Sequence, residues 1–119
     1  MIHVIHNPRC SKSRAVLLMA EAAAARTGEP LQVRDYLETP LDRTELDTLV
    51  KQLGLPARRL LRHEDTAFQA LGLDAETLDD GQVLTLLAGQ PALLQRPVVV
   101  RGGRAVIGRP PEAVSGLLA

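Results

Sequence analysis

Ile2-His3-Val4-Ile5-His6-Asn7-Pro8-Arg9-Cys10-Ser11-Lys12-Ser13-Arg14 changes its pattern twice in quick succession. Ile2 to His6 is mostly apolar and reads as a short strand, halted by the turn signal Asn7-Pro8. From Ser11 to about Arg26 the pattern is helical, with Leu17, Leu18 and an alanine run, and Gly28 supplies the C-terminal cap. After Glu29-Pro30, Leu31, Val33 and Asp35 alternate with Gln32 and Arg34, so a second strand is expected up to Tyr36. A helix between two strands implies that they lie parallel, joined by a right-handed crossover. This β-α-β unit decides the class: α/β.

Downstream, Thr39-Pro40 breaks the pattern, and Asp42 with Glu45 forms a capping-box signature. Leu46, Leu49, Val50 and Leu53 then follow at helical spacing until Gly54. Short helices are expected from about Pro56 to Leu61 and from Glu64 to Leu71, and another from Asp79 or Asp80 through Leu87, ended by Gly89 and Pro91. The stretch from about 41 to 90 is therefore a helical insert. Val98-Val99-Val100 is too β-branched to sit well in a helix. Arg101-Gly102-Gly103-Arg104 signals a tight hairpin returning through Ala105 to Ile107. Pro110 and Pro111 suit the first turn of a last helix running to about Leu118. The sum is β-α-β, a helical insert, then β-β-α around a mixed sheet, as one domain over residues 1–119 with no repeat and no linker.

The bulk properties narrow the function. The chain has 119 residues, 45% apolar and 24% charged, which is an ordinary globular balance with enough length to bury a core. Lys plus Arg and Asp plus Glu each number 14, so no basic excess favours nucleic acid or anionic lipid as a partner. Tyr36 and Phe68, the only aromatics, are too few for a base-stacking platform. Only Lys12 and Lys51 among the basic residues are lysine, which leaves arginine as the available anion clamp. Met1 to His6 does not read as a signal peptide, and no apolar stretch approaches a membrane span. The expectation is a soluble, cytoplasmic monomer. A single cysteine excludes an internal disulfide and a thiolate zinc cluster, and three scattered histidines argue against a metal site.

That cysteine is the candidate nucleophile. Cys10 falls where the first strand hands over to the helix, and unpaired N–H groups at a helix start lower a thiol's pKa. Arg9, Lys12 and Arg14 are expected to add positive charge, and Ser11 and Ser13 to cap the helix or donate to a bound oxyanion. The bland alternative, a buried structural cysteine, fits poorly with these polar, turn-flanked neighbours. Ser13 stands where a dithiol redox loop would carry its second cysteine, so redox turnover requires an outside thiol. A tyrosine-phosphatase loop is excluded, because Val16 occupies the place of its arginine. Asn7 either fixes the loop or is an ordinary turn former, and His6 either supports the thiolate or ends a strand. His3 and His6 point to opposite faces of that strand. Arg62, Arg96 and Arg109 lie near element ends; a tetrahedral oxyanion needs such converging guanidinium forks, although solvated surface arginines would look the same.

The run His6-Asn7-Pro8-Arg9-Cys10-Ser11-Lys12-Ser13-Arg14 resembles the His-Asn-Pro-x-Cys-x-x-Ser-Arg signature of the glutaredoxin-dependent arsenate reductase family. The resemblance extends over nearly the whole chain: Tyr36-Leu37-Glu38-Thr39-Pro40, Leu60-Leu61-Arg62, Leu71-Gly72-Leu73, Arg96-Pro97-Val98-Val99-Val100 and Gly108-Arg109-Pro110-Pro111-Glu112 are similar to later family motifs, in order. It implies a thioredoxin-like fold, attack of Cys10 on arsenate, and Arg62, Arg96 and Arg109 as the oxyanion-binding triad. It further implies no bound cofactor. Glutathione as co-substrate captures the arsenylated cysteine, and glutaredoxin is the partner that reduces the adduct to release arsenite. His6 would help hold Cys10 as thiolate, and Pro97 would be a cis-proline facing it. The chain departs from the pattern in having Ser11-Lys12 where many members have Gly-Thr.

Two other readings use the same fold. A thiol oxidoreductase acting on glutathionylated or other small substrates needs Cys10 but not every arginine. A non-enzymatic regulator of the Spx type, which binds RNA polymerase, typically carries a second cysteine where this chain has Ser13, and it has no use for the arginine set.

Overall fold

The computed structural model describes all residues from Met1 to Ala119. Four strands form one sheet in the order β2-β1-β3-β4: β1 Ile2–His6, β2 Leu31–Asp35, β3 Val98–Arg101 and β4 Arg104–Ile107. β1 pairs parallel with β2 through α1, Ser11–Thr27, and antiparallel with β3, which turns into β4. The mixed sheet is thus the one expected, in the thioredoxin-like arrangement. The β3–β4 turn needs two left-handed residues, and Gly102 (φ 59°) and Gly103 (φ 74°) supply them without a Cβ penalty.

Alternation along β1 divides the core in two. Ile2 and Val4 face Val16, Ala20 and Ala23 of α1, with Val114 and Leu118 from the C-terminal segment. Ile5 faces the other way, into a larger cluster with Tyr36, Leu46, Leu60, Leu87 and Val98. The insert supplies most of that second layer: α2 Arg43–Leu53, α3 Thr66–Gln69 and α4 Asp80–Gly89. Capping boxes fix the starts of α2 and α4, Asp42 with Glu45 and Asp79 with Gln82. No helix is long and apolar enough to cross a membrane.

The insert is less regular than its spacing predicts. The segment expected as a helix from Pro56 is a 3-10 turn, Ala57–Leu60, and the one expected from Glu64 is only Thr66–Gln69, because the Asp65 side chain accepts the Ala67 N–H and sets the start there. Further 3-10 turns at Ala75–Thr77 and Pro91–Leu93 carry no apolar period to betray them. At the C-terminus, Pro111–Val114 is 3-10 and only Ser115–Leu118 is α-helical, as α5.

Register positions the ends of the strands. His6 pairs with Asp35, Ile5 with Val98, and Val98 with Ile107. The exits of β1, β2 and β4 and the entry to β3 therefore share one edge, which carries Cys10, Tyr36, Arg109 and the Arg96-Pro97 pair. Both Arg96–Pro97 and Arg109–Pro110 are cis peptides. Gly108 donates its N–H to the Pro97 carbonyl at 2.9 Å. A Cβ at Gly108 would lie 2.8 Å from Val16 Cγ2 and 2.9 Å from Pro97 Cγ, so close approach, not turn geometry, demands glycine there.

Candidate active site

Cys10 is the N-cap of α1, in extended conformation, with its carbonyl already accepting the Arg14 N–H at 3.0 Å. The loop leading to it is built around buried Asn7. Its carbonyl takes the Cys10 N–H and its side-chain Oδ1 takes the Arg9 N–H, both at 3.0 Å. Ser13, fully buried one turn into the helix, accepts the Asn7 N–H at 2.9 Å and pairs with His6 Nδ1 at 2.7 Å. Burial first of all, and then the charge of Arg14, hold the His6 pKa below its ordinary value against the pull of Asp35. A neutral ring leaves Nδ1 free to accept the Ser13 hydroxyl hydrogen. His6, Asn7 and Ser13 thus form the rigid support of the loop. His6 makes no hydrogen bond to Cys10, so any support it gives the thiolate passes through Ser13.

The sulfur itself is partly exposed. Burial pushes the Cys10 thiol up, but the amides of Ser13 and Lys12, the Arg96 guanidinium and the charge of Arg109 outweigh it, and the net shift is downward. The thiol makes no full capping hydrogen bond; the amides act on it as the open N-terminal dipole of α1. Arg109 is its direct cationic contact, with Nη2 donating to Sγ at 3.6 Å while Nε donates to the Arg96 carbonyl at 2.8 Å.

The charge around the sulfur arrives from a different place than expected. Arg9, Lys12 and Arg14 are exposed, and Arg14 spends Nη1 on the Pro8 carbonyl at 3.0 Å. The cations that act on Cys10 are Arg96 and Arg109, delivered across the sheet. Lys12 contributes its backbone amide. The Ser11 hydroxyl is exposed at the helix start, and Ser13 serves the loop rather than an anion.

Arg62 completes the group from the insert. A β-bridge between Leu61 and Leu94, and the Arg62 N–H donated to the Leu93 carbonyl at 2.8 Å, align it with the strand-entry segment that carries Arg96. Burial lowers the Arg62 pKa, as do the charges of Arg96 and Arg109, partly offset by an ion pair to Asp65 at 2.9 Å. Arg62 thus feels the charge of both other guanidinium groups, and three cations gathered this way are a costly arrangement without an anion between them. The Nε of Arg96 is buried and has no partner in the protein. Such an orphan donor beside the thiol is what a bound oxyanion would satisfy.

Sequence reasoning missed Tyr36 as part of this site. It is fully buried, its hydroxyl receives a long hydrogen bond of 3.5 Å from Asn7 Nδ2, and burial raises its pKa against the charges of Arg96 and Arg62. Its place directly after β2, opposite the exit of β1, was the available signal.

Comparison with known proteins adds to this geometry. A model of the ArsC family matches residues 5–117. A Neisseria meningitidis protein named arsenate reductase is 43% identical over 118 residues, spanning 98% of this chain and 97% of that one. A Haemophilus influenzae protein of the same name is 34% identical, with 97% of each covered. The solved structure of an arsenate reductase from Vibrio cholerae superposes with a TM-score of 0.83 at 39% identity, over 97% of this chain and 95% of that one.

Proposed function

This chain belongs to the ArsC family, and from that premise we propose that it reduces arsenate to arsenite, with Cys10 as nucleophile, Arg62, Arg96 and Arg109 as the oxyanion site, and glutathione and glutaredoxin as the thiol partners. The observation that carries the reading is the cationic contact on the sulfur: Arg109 Nη2 lies 3.6 Å from Cys10 Sγ, beside the orphaned Arg96 Nε. The same donors hold the thiolate before substrate arrives and hold the arsenate oxygens once it does.

The chemistry follows in order. The thiolate attacks arsenic, a sulfur–arsenic bond forms, and a protonated arsenate oxygen leaves as water. The arginines neutralise charge on the remaining oxygens, which otherwise repels the anionic nucleophile. The glutathione thiol then displaces a second arsenate oxygen as water and forms its own sulfur–arsenic bond. A glutaredoxin thiolate attacks that glutathione sulfur, forming the mixed disulfide and leaving the bonding electron pair on arsenic. Water hydrolyses the remaining Cys10–arsenic bond to release arsenite and restore the thiol. Overall two thiols become one disulfide, arsenic gains two electrons as arsenite, and the displaced oxygen is accounted for as water. One protein cysteine suffices because both resolving thiols come from outside, as Ser13 in the second-cysteine position requires.

A coupled assay following NADPH consumption with glutathione and glutaredoxin tests this. Arsenate-dependent turnover is expected in the intact protein and is expected to vanish in Cys10→Ser. Persistence in that variant would overturn the assignment. A thiol oxidoreductase with another substrate would instead show Cys10-dependent activity that survives Arg96→Ala.

A further inference from the structure

Next to the arginine group the surface opens into a cleft of about 440 Å³. Arg62 and Arg109 form part of its wall, joined by His63, Glu64, Thr66 and Gln95. Since Arg109 is also the guanidinium that touches the sulfur, the cleft begins at the thiol's own cationic contact. Its volume lies in the range of roughly 300–1,000 Å³ that accommodates drug-sized organic ligands. An oxyanion of five heavy atoms fills only a corner of it.

The lining points to the chemistry of the remainder. Only Leu61 is apolar, and the charges are of both signs. Asp65 is already committed: one carboxylate oxygen to Arg62 at 2.9 Å, the other to the Ala67 N–H at 2.8 Å. The side chains of His63, Glu64, Thr66 and Gln95 have no partner within the protein. A pocket for a bare anion gains nothing from an uncommitted carboxylate beside its arginines. A zwitterion uses both, with its carboxylate on a guanidinium and its ammonium on the acid. The resolving thiol has to come from outside, and its carrier needs a place to lie while its sulfur points at Cys10.

We propose that this cleft binds the amino-acid end of a peptide thiol co-substrate, the γ-glutamyl end of glutathione, with Glu64 taking its ammonium group and Arg62 its carboxylate. The proposal rests on the glutathione-dependent reading above and adds the place and polarity of binding. The oxyanion stays with the three arginines beside the sulfur, and Arg62, which also lines the cleft, is shared with the carboxylate of the thiol carrier. Several bonds separate the ammonium group of glutathione from its sulfur, so binding at Glu64 leaves the thiol free to reach towards Arg109.

The test uses S-methylglutathione, which binds without reacting, titrated into the intact protein and followed by amide NMR. Shifts at His63, Glu64, Thr66 and Gln95, weakened at least fivefold in Glu64→Lys and less in Glu64→Gln, are expected. In turnover, Glu64→Lys should raise the KM for glutathione fivefold or more, while the KM for arsenate and the rate with 2-mercaptoethanol stay within twofold. Shifts confined to the Cys10 loop, binding indifferent to Glu64→Lys, or an equal loss with both thiols would overturn the cleft assignment. Absence of arsenate reduction with every thiol would instead sink the proposed activity, and the titration would still decide the cleft.

Discussion

The two halves of this molecule hold their site residues by different means. Cys10, Arg96 and Arg109 hang from the sheet, at strand ends whose register is enforced by backbone ladders and by two buried layers. Arg62 hangs from the insert, attached to the strand-entry segment by one isolated bridge, whose two hydrogen bonds run from Arg62 N–H to the Leu93 carbonyl and from Gln95 N–H to the Leu60 carbonyl, with Asp65 sharing its charge. A ladder fixes position cooperatively, since a one-residue slip would turn every side chain to the wrong face. A single bridge fixes it locally. The comparison teaches that one triad can be divided into a preorganised pair and a more adjustable third member.

The sharpest way to break that division is to remove each arginine in turn. Arg109→Ala and Arg96→Ala are each expected to lower kcat/KM for arsenate about 10²–10³-fold, the usual loss for one preorganised oxyanion donor. Arg62→Ala is expected to cost about tenfold, because its charge is partly offset by Asp65 and the guanidinium contact to the thiol is made by Arg109 instead. Equal losses from all three, in steady-state kinetics, would erase the distinction between ladder-held and bridge-held members.

A second variant perturbs the ladder side without touching a charge. Gly108→Ala places a methyl group against Val16 and Pro97 at less than 3.0 Å, so the backbone carrying Arg109 has to move. A destabilisation of about 1–3 kcal/mol, typical of overpacking, should appear in urea melts together with reduced arsenate turnover. An Ala variant as stable and as active as the parent would show that this close approach does not position Arg109.

The smallest effect concerns the thiol's titration. Alkylation rate against pH should give a Cys10 midpoint below the ordinary thiol value of about 8.5. Because the folded value is the lower one, the stability it contributes is complete above the unfolded value and is lost as pH falls through the folded one. The stability of the intact protein relative to Cys10→Ser should therefore grow as pH rises through the folded midpoint and level off above the ordinary thiol value of about 8.5. A difference independent of pH, measured by urea midpoints, would mean that Arg96 and Arg109 do not bias the thiol. In Arg109→Ala the alkylation midpoint should move up more than in Arg62→Ala, which returns the measurement to the same comparison.

Much of this was readable from residues alone, for identifiable reasons. Apolar alternation in Ile2–His6, the branched run Val98–Val100 and the Gly102-Gly103 turn are local signals, and they located the strands. Asn7-Pro8 followed by Cys10 and Ser11 placed the thiol at a helix start. The insert was harder: Asp65 capping and the 3-10 turns are decided by single side chains and by packing, and leave no period to read. The source of charge on the sulfur was also misplaced by proximity along the chain. Arg9, Lys12 and Arg14 are near in sequence yet exposed, whereas Arg96 and Arg109 are distant in sequence and reach the site.

What the sequence by itself determined is the order of elements, the single cysteine with no second thiol to resolve it, and the family motifs that run through the chain. These depend on residue type and short-range spacing, which a sequence states directly. What only the tertiary structure decided is which side chains meet: that Ser13 ties His6 to the loop rather than meeting a substrate, that Tyr36 lies beneath the site, and that Arg96 has a buried donor without a partner. Those facts follow from strand register and from the layers packed on either face, which bring together residues tens of positions apart.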